Sequence, residues 1–335
     1  MISTLRIATR RSPLALVQAE FIARALGERY PGIEIALLPI RTTGDRLLDA
    51  PLARFGGKGL FIKELERALL DGRADLAVHS MKDVPVDLPP GLALPVITAR
   101  ADPRDALVSK RFDSLRALPP GAVIGTSSLR RRSQLAAHRP DLKVEVLRGG
   151  IDTRLRRLDE GDFDAIVLAV AGLMRGGFDA RIREILPESI MLPAAGQGAL
   201  GLECRADDDR TQDLIAHLAC PDSARCVEAE RAFGRLLDGG CQMPIAAFAV
   251  LREGGLWLRA LVASLDGRCV LRAEIEGGID DPAASGAEAA QAALDQGAAE
   301  ILDEIRLHLS AQAADADASI VLSDPPSPAH RGGDS

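Results

Sequence analysis

The stretches LLDGRADLAVHS (residues 69–80) and LDEGDFDAIVLAV (residues 158–170) share one outline. Each is typical of a helix end, then a glycine, an aspartate three residues further on, and an apolar run as long as a buried strand. Alternation of helices with such strands is the signature of an α/β domain. The echo therefore favours two similar α/β units. A helix–glycine–strand connection is also common within one α/β domain, so that alternative stays open.

The sequence before the first stretch extends the α/β pattern. LRIATRRSPLAL (5–16) predicts a strand, a turn and a helix, with Ser12 as the N-cap and Pro13 at the first helical position. IEIALLPI (33–40) predicts the next strand. The glycine-rich stretch TTGDRLLDAPLARFGGKGLF (42–61) is too irregular for a helix or strand, and a loop of this length is typically functional or mobile. One unit is predicted before about residue 100, and the other from about 104 to 192.

The second half changes character. LPAAGQGALGLECR (192–205) resembles a return connection or hinge that ends in a strand. After Pro221 a helix leads to a Gly-Gly-Cys turn, alternating strands follow, and an alanine-rich helix is predicted from about Ala283 to Leu309. This order predicts a small α+β domain. From Ala311 onward the chain is polar and low in complexity, which predicts a disordered tail.

Composition restricts the classes of function. The net charge of −7 and the aromatic content of 3% argue against nucleic-acid binding. No charged-then-apolar signal segment opens the sequence, and no apolar run is long enough to span a bilayer. The cysteines are odd in number and lack metal-type spacing, so we expect reduced thiols, no metal and a cytoplasmic protein. They are Cys204, Cys220, Cys226, Cys241 and Cys269.

Three arginine-bearing stretches follow predicted strands. GTSSLRRRSQL (125–135) places hydroxyls and backbone N–H groups at a helix N-terminus, where anions are favoured. LRGGIDTRLRRL (147–158) repeats the arrangement, and ATRRS (8–12) adds a third. Together they predict a ligand with several carboxylates or phosphates, and a capped helix with a solvated basic face is the alternative. GGKGLF (56–61) lacks the Gly-Lys-Ser/Thr ending and preceding strand of a nucleotide loop, so we reject a nucleotide site.

Two further stretches carry candidate reactive groups. HSMKDVP (79–85) ends a predicted strand, and ligands bind at strand ends in open α/β sheets. Asp83 there could stabilise a developing cation or transfer a proton, while an exposed ion pair with Lys82 is the structural alternative. GGCQMP (239–244) places Cys241 in a tight turn. Either the turn holds the thiol out of the local packing as a nucleophile, or the cysteine fills a small apolar gap.

These motifs occur in an order that resembles one family. ATRRSPLAL, GGKGLF, HSMKDVP, GTSSLRR, AAGQGALGLECR and GGCQMPI together are similar to the motifs of the porphobilinogen deaminases, also called hydroxymethylbilane synthases, of tetrapyrrole biosynthesis. The resemblance runs from about residue 4 to residue 310. Motifs this many and this long are far more specific than any one of them alone.

The resemblance implies a fold. We expect two similar doubly wound, periplasmic-binding-protein-like α/β domains that flank a cleft, and a smaller α+β C-terminal domain. The implied boundaries are residues 1–99 with 200–217 for the first domain, 104–192 for the second and 221–310 for the third, with 311–335 as the tail.

The resemblance also implies a reaction and its residues. Four porphobilinogen molecules would be joined head to tail with release of ammonia, on a dipyrromethane cofactor held as a thioether by Cys241, and the product would be hydrolysed to hydroxymethylbilane. Asp83 would be catalytic, because one carboxylate can stabilise the azafulvenium cation and its successor. The remaining implied roles are cofactor binding by Ser80, Lys82, Thr126, Ser128, Arg130 and Arg131, substrate binding by Arg10, Ser12, Gln18, Arg148, Arg154 and Arg175, a lid at Lys58 and Phe61, and a hinge at Gln197.

The chain departs from the family pattern at Gly150, where asparagine is usual, and at Arg54, where lysine is commoner. We expect a monomer that binds porphobilinogen and neither nucleic acid nor membrane.

Two alternative functions would each require a further feature of the sequence. A solute-binding module would need a secretion signal, and a cysteine hydrolase would need a histidine directed at Cys241.

Overall fold

The computed structural model describes residues 4–46, 62–240 and 242–321. The strands, in chain order, are β1 (Thr4–Arg10), β2 (Glu34–Ile40), β3 (Leu76–Ser80), β4 (Leu92–Ile97), β5 (Asp105–Val108), β6 (Val123–Gly125), β7 (Lys143–Glu145), β8 (Ala165–Ala169), β9 (Ile182–Ile185), β10 (Leu200–Arg205), β11 (Ile245–Arg252), β12 (Gly255–Ala263) and β13 (Val270–Gly277).

The α-helices, in chain order, are α1 (Pro13–Arg29), α2 (Thr43–Arg46), α3 (Lys63–Leu70), α4 (Leu129–His138), α5 (Ile151–Glu160), α6 (Val170–Arg175), α7 (Asp209–Ile215), α8 (Pro221–Leu236), α9 (Pro282–Asp295) and α10 (Ala298–Val321). Within the described residues, no helix combines the length and the apolar composition needed to cross a bilayer.

Two five-stranded sheets have the same plan. The first has the order β2-β1-β3-β10-β4 and the second the order β7-β6-β8-β5-β9. In each, the first three strands are parallel and the last two introduce antiparallel pairs. The chain leaves the first sheet after β4 and returns as β10, which inserts between β3 and β4. This layout confirms the prediction of two similar α/β domains.

The repeated sequence outline has the same structural role in both sheets. The two stretches end in β3 and β8, which occupy the third position of their sheets. The glycines Gly72 and Gly161 have φ values of +67° and +91°, in the left-handed region that favours glycine. The Asp75 carboxylate accepts the backbone N–H of Arg6 at 2.9 Å, and that of Asp164 accepts the N–H of Val123 at 2.8 Å. Each aspartate therefore ties its strand to the neighbouring parallel strand.

Alternation along β1 produces two apolar layers around the first sheet. Leu5 and Ile7 pack against Ile22 of α1, while Ala8 faces the other layer with Leu65 of α3. Helices thus cover both faces, as a doubly wound fold requires. In the third domain, β11, β12 and β13 form an antiparallel sheet whose core includes the fully buried Phe233 of α8.

The C-terminal helical region differs from the expectation of one helix to Leu309 followed by a disordered tail. It forms two helices separated at Gly297, whose φ of +97° ends the helical path. The second helix, α10, continues to Val321, so the segment 311–321 is helical rather than disordered. Its alanine content explains this, because alanine has the highest helix propensity. Residues 322–335 lie outside the described residues.

Candidate active site

A cleft of about 1840 Å³ lies where the three sheets meet. Its walls include the ends of β1 and β3, the first turns of α4 and α5, and the turn that follows α8. Arginines and lysines outnumber aspartates and glutamates among the lining residues, although the whole chain has a net charge of −7. Such a concentration of positive charge favours an anionic ligand.

Asp83 lines this cleft on a short turn after β3. Residues Met81–Asp83 form one turn of 3₁₀ helix, in which the N–H of Val84 donates to the carbonyl of Met81 at 3.1 Å. The side chains of Met81 and Val84 are buried on either side of the aspartate. The N–H of Met81 also donates to the carbonyl of Ala199 at 3.0 Å. These anchors leave the carboxylate on the cleft wall, as predicted from the strand-end position.

Lys82 lies beside Asp83 and also lines the cleft. Burial lowers its pKa from 10.5 to about 8, against the opposing effect of the Asp83 charge, and Arg131 lowers it further. Its Nζ lies 3.4 Å from Oε1 of Gln197. The same amide donates through Nε2 to the carbonyl of Pro103 at 2.6 Å and to Asp105 at 3.0 Å. Gln197, predicted as a hinge residue, therefore links Lys82 to the segment that enters the second domain.

The second domain contributes Arg130 and Arg131, from the first turn of α4. Ser128 is the N-cap, and its hydroxyl accepts the N–H of Arg131 at 3.4 Å. Thr126 is buried and its hydroxyl accepts the N–H of Ser128 at 3.2 Å, but Thr126 is not among the cleft-lining residues. Arg132, which points elsewhere on the helix, is exposed.

Asp105, which sequence reasoning missed, holds the two arginines in place. The carboxylate is completely buried and lies 2.7 Å from the guanidinium of Arg131 and 2.8 Å from that of Arg130. Burial alone would raise the pKa of Asp105, but the two guanidinium groups hold it well below its usual range. Arg130 also donates to the carbonyl of Leu192 at 2.7 Å. The arginines are therefore fixed at the cleft before any ligand binds.

The end of β1 places another group of predicted residues beside Asp83. Arg10 lies 2.5 Å from the carboxylate of Asp45, and Ser12 caps α1 by accepting the N–H of Ala15 at 3.4 Å. Gln18 donates to the hydroxyl of Ser80 at 3.1 Å. A small pocket of about 60 Å³ is lined by Arg10, Ser12, Gln18, Ser80 and Asp83 among others. The structure thus brings these residues together.

Arg148 and Arg154 line the cleft at the start of α5. Burial lowers the pKa of Arg154 to about 10, and the charge of Arg131 lowers it further, so its guanidinium remains protonated at neutral pH. Its Nε donates to the carbonyl of Gly149 at 2.9 Å. Gly150 is the N-cap of α5 and offers no side-chain acceptor, and a Cβ at this position would meet nothing within 4 Å. The position therefore has room for a Cβ, as the asparagine that is usual in the family would require.

Arg175 does not join the other predicted substrate residues. It is absent from the residues that line the cleft, and it donates to the carbonyl of Gly198 at 2.7 Å. The predicted residues Lys58, Phe61 and Cys241, and the departure Arg54, lie outside the described residues.

The Gly-Gly-Cys turn borders the cleft through Gly239, Gly240 and Gln242. A Cβ on Gly239 would come within 2.3 Å of Cδ1 of Ile245, so only glycine fits there without a shift of that side chain. The residues on both sides of Cys241 in sequence therefore line the same cleft as Asp83.

The histidines of the described residues give no support to a cysteine hydrolase. None of His79, His138, His217 and His308 lines the main cleft. His79 is buried and lies 2.8 Å from the carboxylate of Glu203. This contact joins β3 to the neighbouring strand β10, in keeping with the strand-end structural role expected for His79.

Solved structures that are similar in fold include solute-binding proteins. The methionine-binding protein MetQ is 15% identical, with coverage of 64% of this chain and 89% of its own and a TM-score of 0.41. A periplasmic substrate-binding protein of an ABC transporter from Coxiella burnetii is 16% identical, with coverage of 67% and 96% and a TM-score of 0.41. Similarity this low supports no conclusion about function, and the fold described above rests on the sheets themselves.

Family models match most of the chain. The model described as "Porphobilinogen deaminase, dipyromethane cofactor binding domain" matches residues 5–213, and that described as "Porphobilinogen deaminase, C-terminal domain" matches residues 224–295. The first match alone covers more than half of the chain and contains the strand-end arginines and Asp83. The chain therefore belongs to the porphobilinogen deaminase family.

Proposed function

We propose that Asp83 is the catalytic carboxylate, and Cys241 the cofactor-bearing thiol, of the reaction that this family performs. The enzyme is a transferase that condenses four porphobilinogen molecules on a dipyrromethane primer, with release of ammonia, and then releases hydroxymethylbilane by hydrolysis. The observation that supports these roles best is the position of Asp83. It lies in one cleft with the strand-end arginines and with the residues that flank Cys241.

The donors in the cleft fit a dipyrromethane cofactor. Each of its two pyrroles carries an acetate and a propionate, and guanidinium groups bind carboxylates through paired hydrogen bonds. Arg130 and Arg131 are already fixed by Asp105, and Lys82, Ser128 and the N-terminus of α4 lie at the same wall. We assign these residues to the cofactor. When bound, the cofactor supplies the pyrrole carbon to which the first substrate is joined.

The residues at the end of β1 and at the start of α5 suit the incoming substrate. Arg10, Ser12, Arg148 and Arg154 line the cleft on the two sides that the first and second domains contribute. These arginines are partly buried, and such cationic groups bind carboxylates more strongly than fully exposed ones, because water competes less for them. We therefore assign these residues, with Gln18, to the carboxylates of porphobilinogen.

Asp83 would act on the substrate rather than on its carboxylates. Porphobilinogen becomes cationic as ammonia leaves, and a preorganised carboxylate stabilises positive charge that develops in the transition state. The same group can accept or return a proton at the pyrrole nitrogen and at the leaving amine. The buried Met81 and Val84 on either side hold the turn, so Asp83 need not reorganise during the reaction.

The test of Asp83 is a comparison of Asp83→Asn and Asp83→Glu with Asp87→Asn. Asp87 lines the same cleft four residues later and is exposed, so it is a matched control. We expect Asp83→Asn to lower kcat by about 10²–10⁴-fold, the range for loss of a positioned acid or base. Asp83→Glu should lose less, and Asp87→Asn should stay within twofold of wild type.

Retention of more than one tenth of wild-type kcat by Asp83→Asn, in protein that carries its cofactor, would contradict the role of Asp83. The same loss in Asp87→Asn would show that the reaction responds to the charge of the cleft in general.

The cytoplasmic location, the monomeric state and the contributions of Lys58, Phe61 and Arg175 stay predictions. Sedimentation at micromolar concentration tests the oligomeric state.

A further inference from the structure

The segment that follows Asp83 has no regular secondary structure. Residues 84–86 (Val-Pro-Val) lie outside any strand or helix, and Pro85 has no backbone N–H. Carbonyl groups in such a segment have no partner strand, and a carbonyl without a donor is costly where water is excluded. Val84 is buried, so the carbonyls here need donors from elsewhere in the protein.

Arg231 of α8 supplies these donors. Its guanidinium donates to the carbonyl of Val84 at 2.9 Å, to that of Pro85 at 2.6 Å and to that of Val86 at 3.0 Å. One planar group thus binds three consecutive carbonyls, which a lysine ammonium could not match in geometry. Burial lowers the pKa of Arg231 to about 10, with a further lowering by Arg235, so the guanidinium stays charged at neutral pH.

The same face of α8 supports the Asp83 turn by apolar packing. Val227 precedes Arg231 by four residues, so the two side chains share one side of the helix. Val227 is fully buried in a cluster with Met81 and Val84, the residues that bracket the catalytic turn. Helix α8 ends at Leu236, and the Gly-Gly-Cys turn follows. Helix α8 therefore leads to the turn that contains Cys241, and it also holds the loop of Asp83 through hydrogen bonds and apolar packing.

We propose that Arg231 is a positioning residue that sets the location of Asp83 relative to the cofactor-bearing turn. The hydrogen bonds to residues 84–86 hold the first domain's catalytic loop on a helix of the third domain. A displacement of about 1 Å of a reacting group can lower a rate by about 10²-fold. This proposal rests on the role of Asp83 proposed above.

A second role for Arg231 makes a different prediction. Arg231 also lines the cleft, so it could bind a substrate carboxylate directly. Loss of such a contact would weaken ground-state binding and raise KM. Loss of a positioning contact lowers kcat while KM stays nearly constant, because the substrate carboxylates keep their own partners.

The experiment compares Arg231→Met and Arg231→Lys with Arg235→Met. Arg235 lies one turn further along α8 and is exposed, and its two polar contacts are long, at 3.4 Å to the carbonyl of Val86 and 3.7 Å to the carboxylate of Asp87. All variants are assayed with porphobilinogen after intact mass has shown that each carries its cofactor. We expect Arg231→Met to lower kcat by about 10–100-fold with KM within twofold of wild type. Arg231→Lys should recover part of kcat, and Arg235→Met should match wild type.

Three outcomes would overturn the proposal. The first is a kcat of Arg231→Met within twofold of wild type. The second is a rise of KM at unchanged kcat, which would make Arg231 a substrate-binding residue. The third, decisive if Arg231→Met does not fold, is wild-type kinetics in Arg231→Lys. Full activity in Asp83→Asn would remove the basis of both proposals. An inactive Asp83→Asn beside a fully active Arg231→Met would remove only this one.

Discussion

At the scale of single residues, the cleft combines buried positive charge with few compensating carboxylates. Lys82 shows the cost most directly. Burial favours its neutral amine in the folded protein, and Asp83 offsets only part of that effect. A carboxylate ligand would offset the cost of the buried ammonium, so the site is destabilising until it is filled. Active sites commonly trade stability for function in this way.

Replacement of Lys82 by methionine should therefore stabilise the protein that lacks its cofactor. In a Cys241→Ser background, which cannot form the thioether, we expect Lys82→Met to raise the thermal unfolding midpoint by a few degrees at pH 7, because about 1–3 kcal/mol of desolvation cost is removed. The folded pKa of Lys82 is about 8 against 10.5 unperturbed. The cost of the charged form is thus full below pH 8, and the advantage of Lys82→Met should fade as the pH rises from 8 to 10.5.

The exposed Lys143 provides the control for the loss of a lysine charge. Lys143→Met in the same background should leave the unfolding midpoint unchanged within about a degree, both at pH 7 and as the pH rises to 10.5, since surface substitutions have small effects. A Lys82→Met protein that unfolds at a lower temperature than its parent at pH 7 would contradict this account of Lys82.

At the scale of elements, the return connection packs directly against the turn that carries Asp83. Gly196 has a φ of +69°, and a Cβ there would lie 2.8 Å from Cβ of Met81 and 3.3 Å from the backbone N of Lys82. Both the backbone conformation and the space thus require glycine. Any side chain at residue 196 must push the turn of residues 81–83 or move the connection.

Gly196→Ala should lower kcat by at least tenfold, since it displaces the turn that holds Asp83. Gly177 offers a matched control, because its φ is +73° and a Cβ would meet nothing within 4 Å. Both substitutions should cost roughly 1–2 kcal/mol of stability through the positive φ alone. Steady-state assays with thermal unfolding separate the two effects. An equal kcat in Gly196→Ala and Gly177→Ala would show that the contact with Met81 does not position the turn.

Element-level prediction from sequence succeeded where a local pattern determines the structure. The repeated glycine and aspartate identified β3 and β8, and the strand-end arginines Arg130 and Arg131 line the cleft as expected. The contacts of Asp105 and Arg231 were not predictable, because each pairs with groups distant in sequence. Their patterns, an aspartate that begins a strand and an arginine in an amphipathic helix, occur in many proteins without such a role. The break at Gly297 has a local signal, a glycine within the alanine-rich segment, but tertiary packing decides whether such a glycine interrupts a helix.

At the scale of the whole molecule, one buried carboxylate joins the parts that border the cleft. Glu230 of α8 is fully buried and accepts from Nη1 and Nη2 of Arg100, at 2.5 and 3.1 Å, in the segment between the first two domains. It also accepts the N–H of Gly196 at 2.7 Å, in the return connection, and that of Ala249 at 2.8 Å, in the third sheet. Both connections between the α/β domains are thereby tied to the third domain.

Glu230→Gln should destabilise the protein by about 3–5 kcal/mol, the typical cost when one partner of a buried ion pair is removed. Urea unfolding monitored by far-ultraviolet circular dichroism measures the change. Glu228, exposed on the same helix, is the control, and Glu228→Gln should stay within about 0.5 kcal/mol of wild type. Equal stability of the two variants would mean that Glu230 does not hold the domains together.

In the proposed reaction the cleft works on a primer bound covalently at Cys241, and intact mass under denaturing conditions tests this attachment most directly. We predict that the wild-type chain exceeds its sequence mass by two porphobilinogen units less two ammonia molecules, either as isolated or after incubation with porphobilinogen. Cys269→Ser, which removes an exposed cysteine, should show the same excess, and Cys241→Ser should show none. A wild-type chain that lacks this excess both as isolated and after incubation with porphobilinogen, or a Cys241→Ser chain that keeps the excess, would contradict the attachment at Cys241.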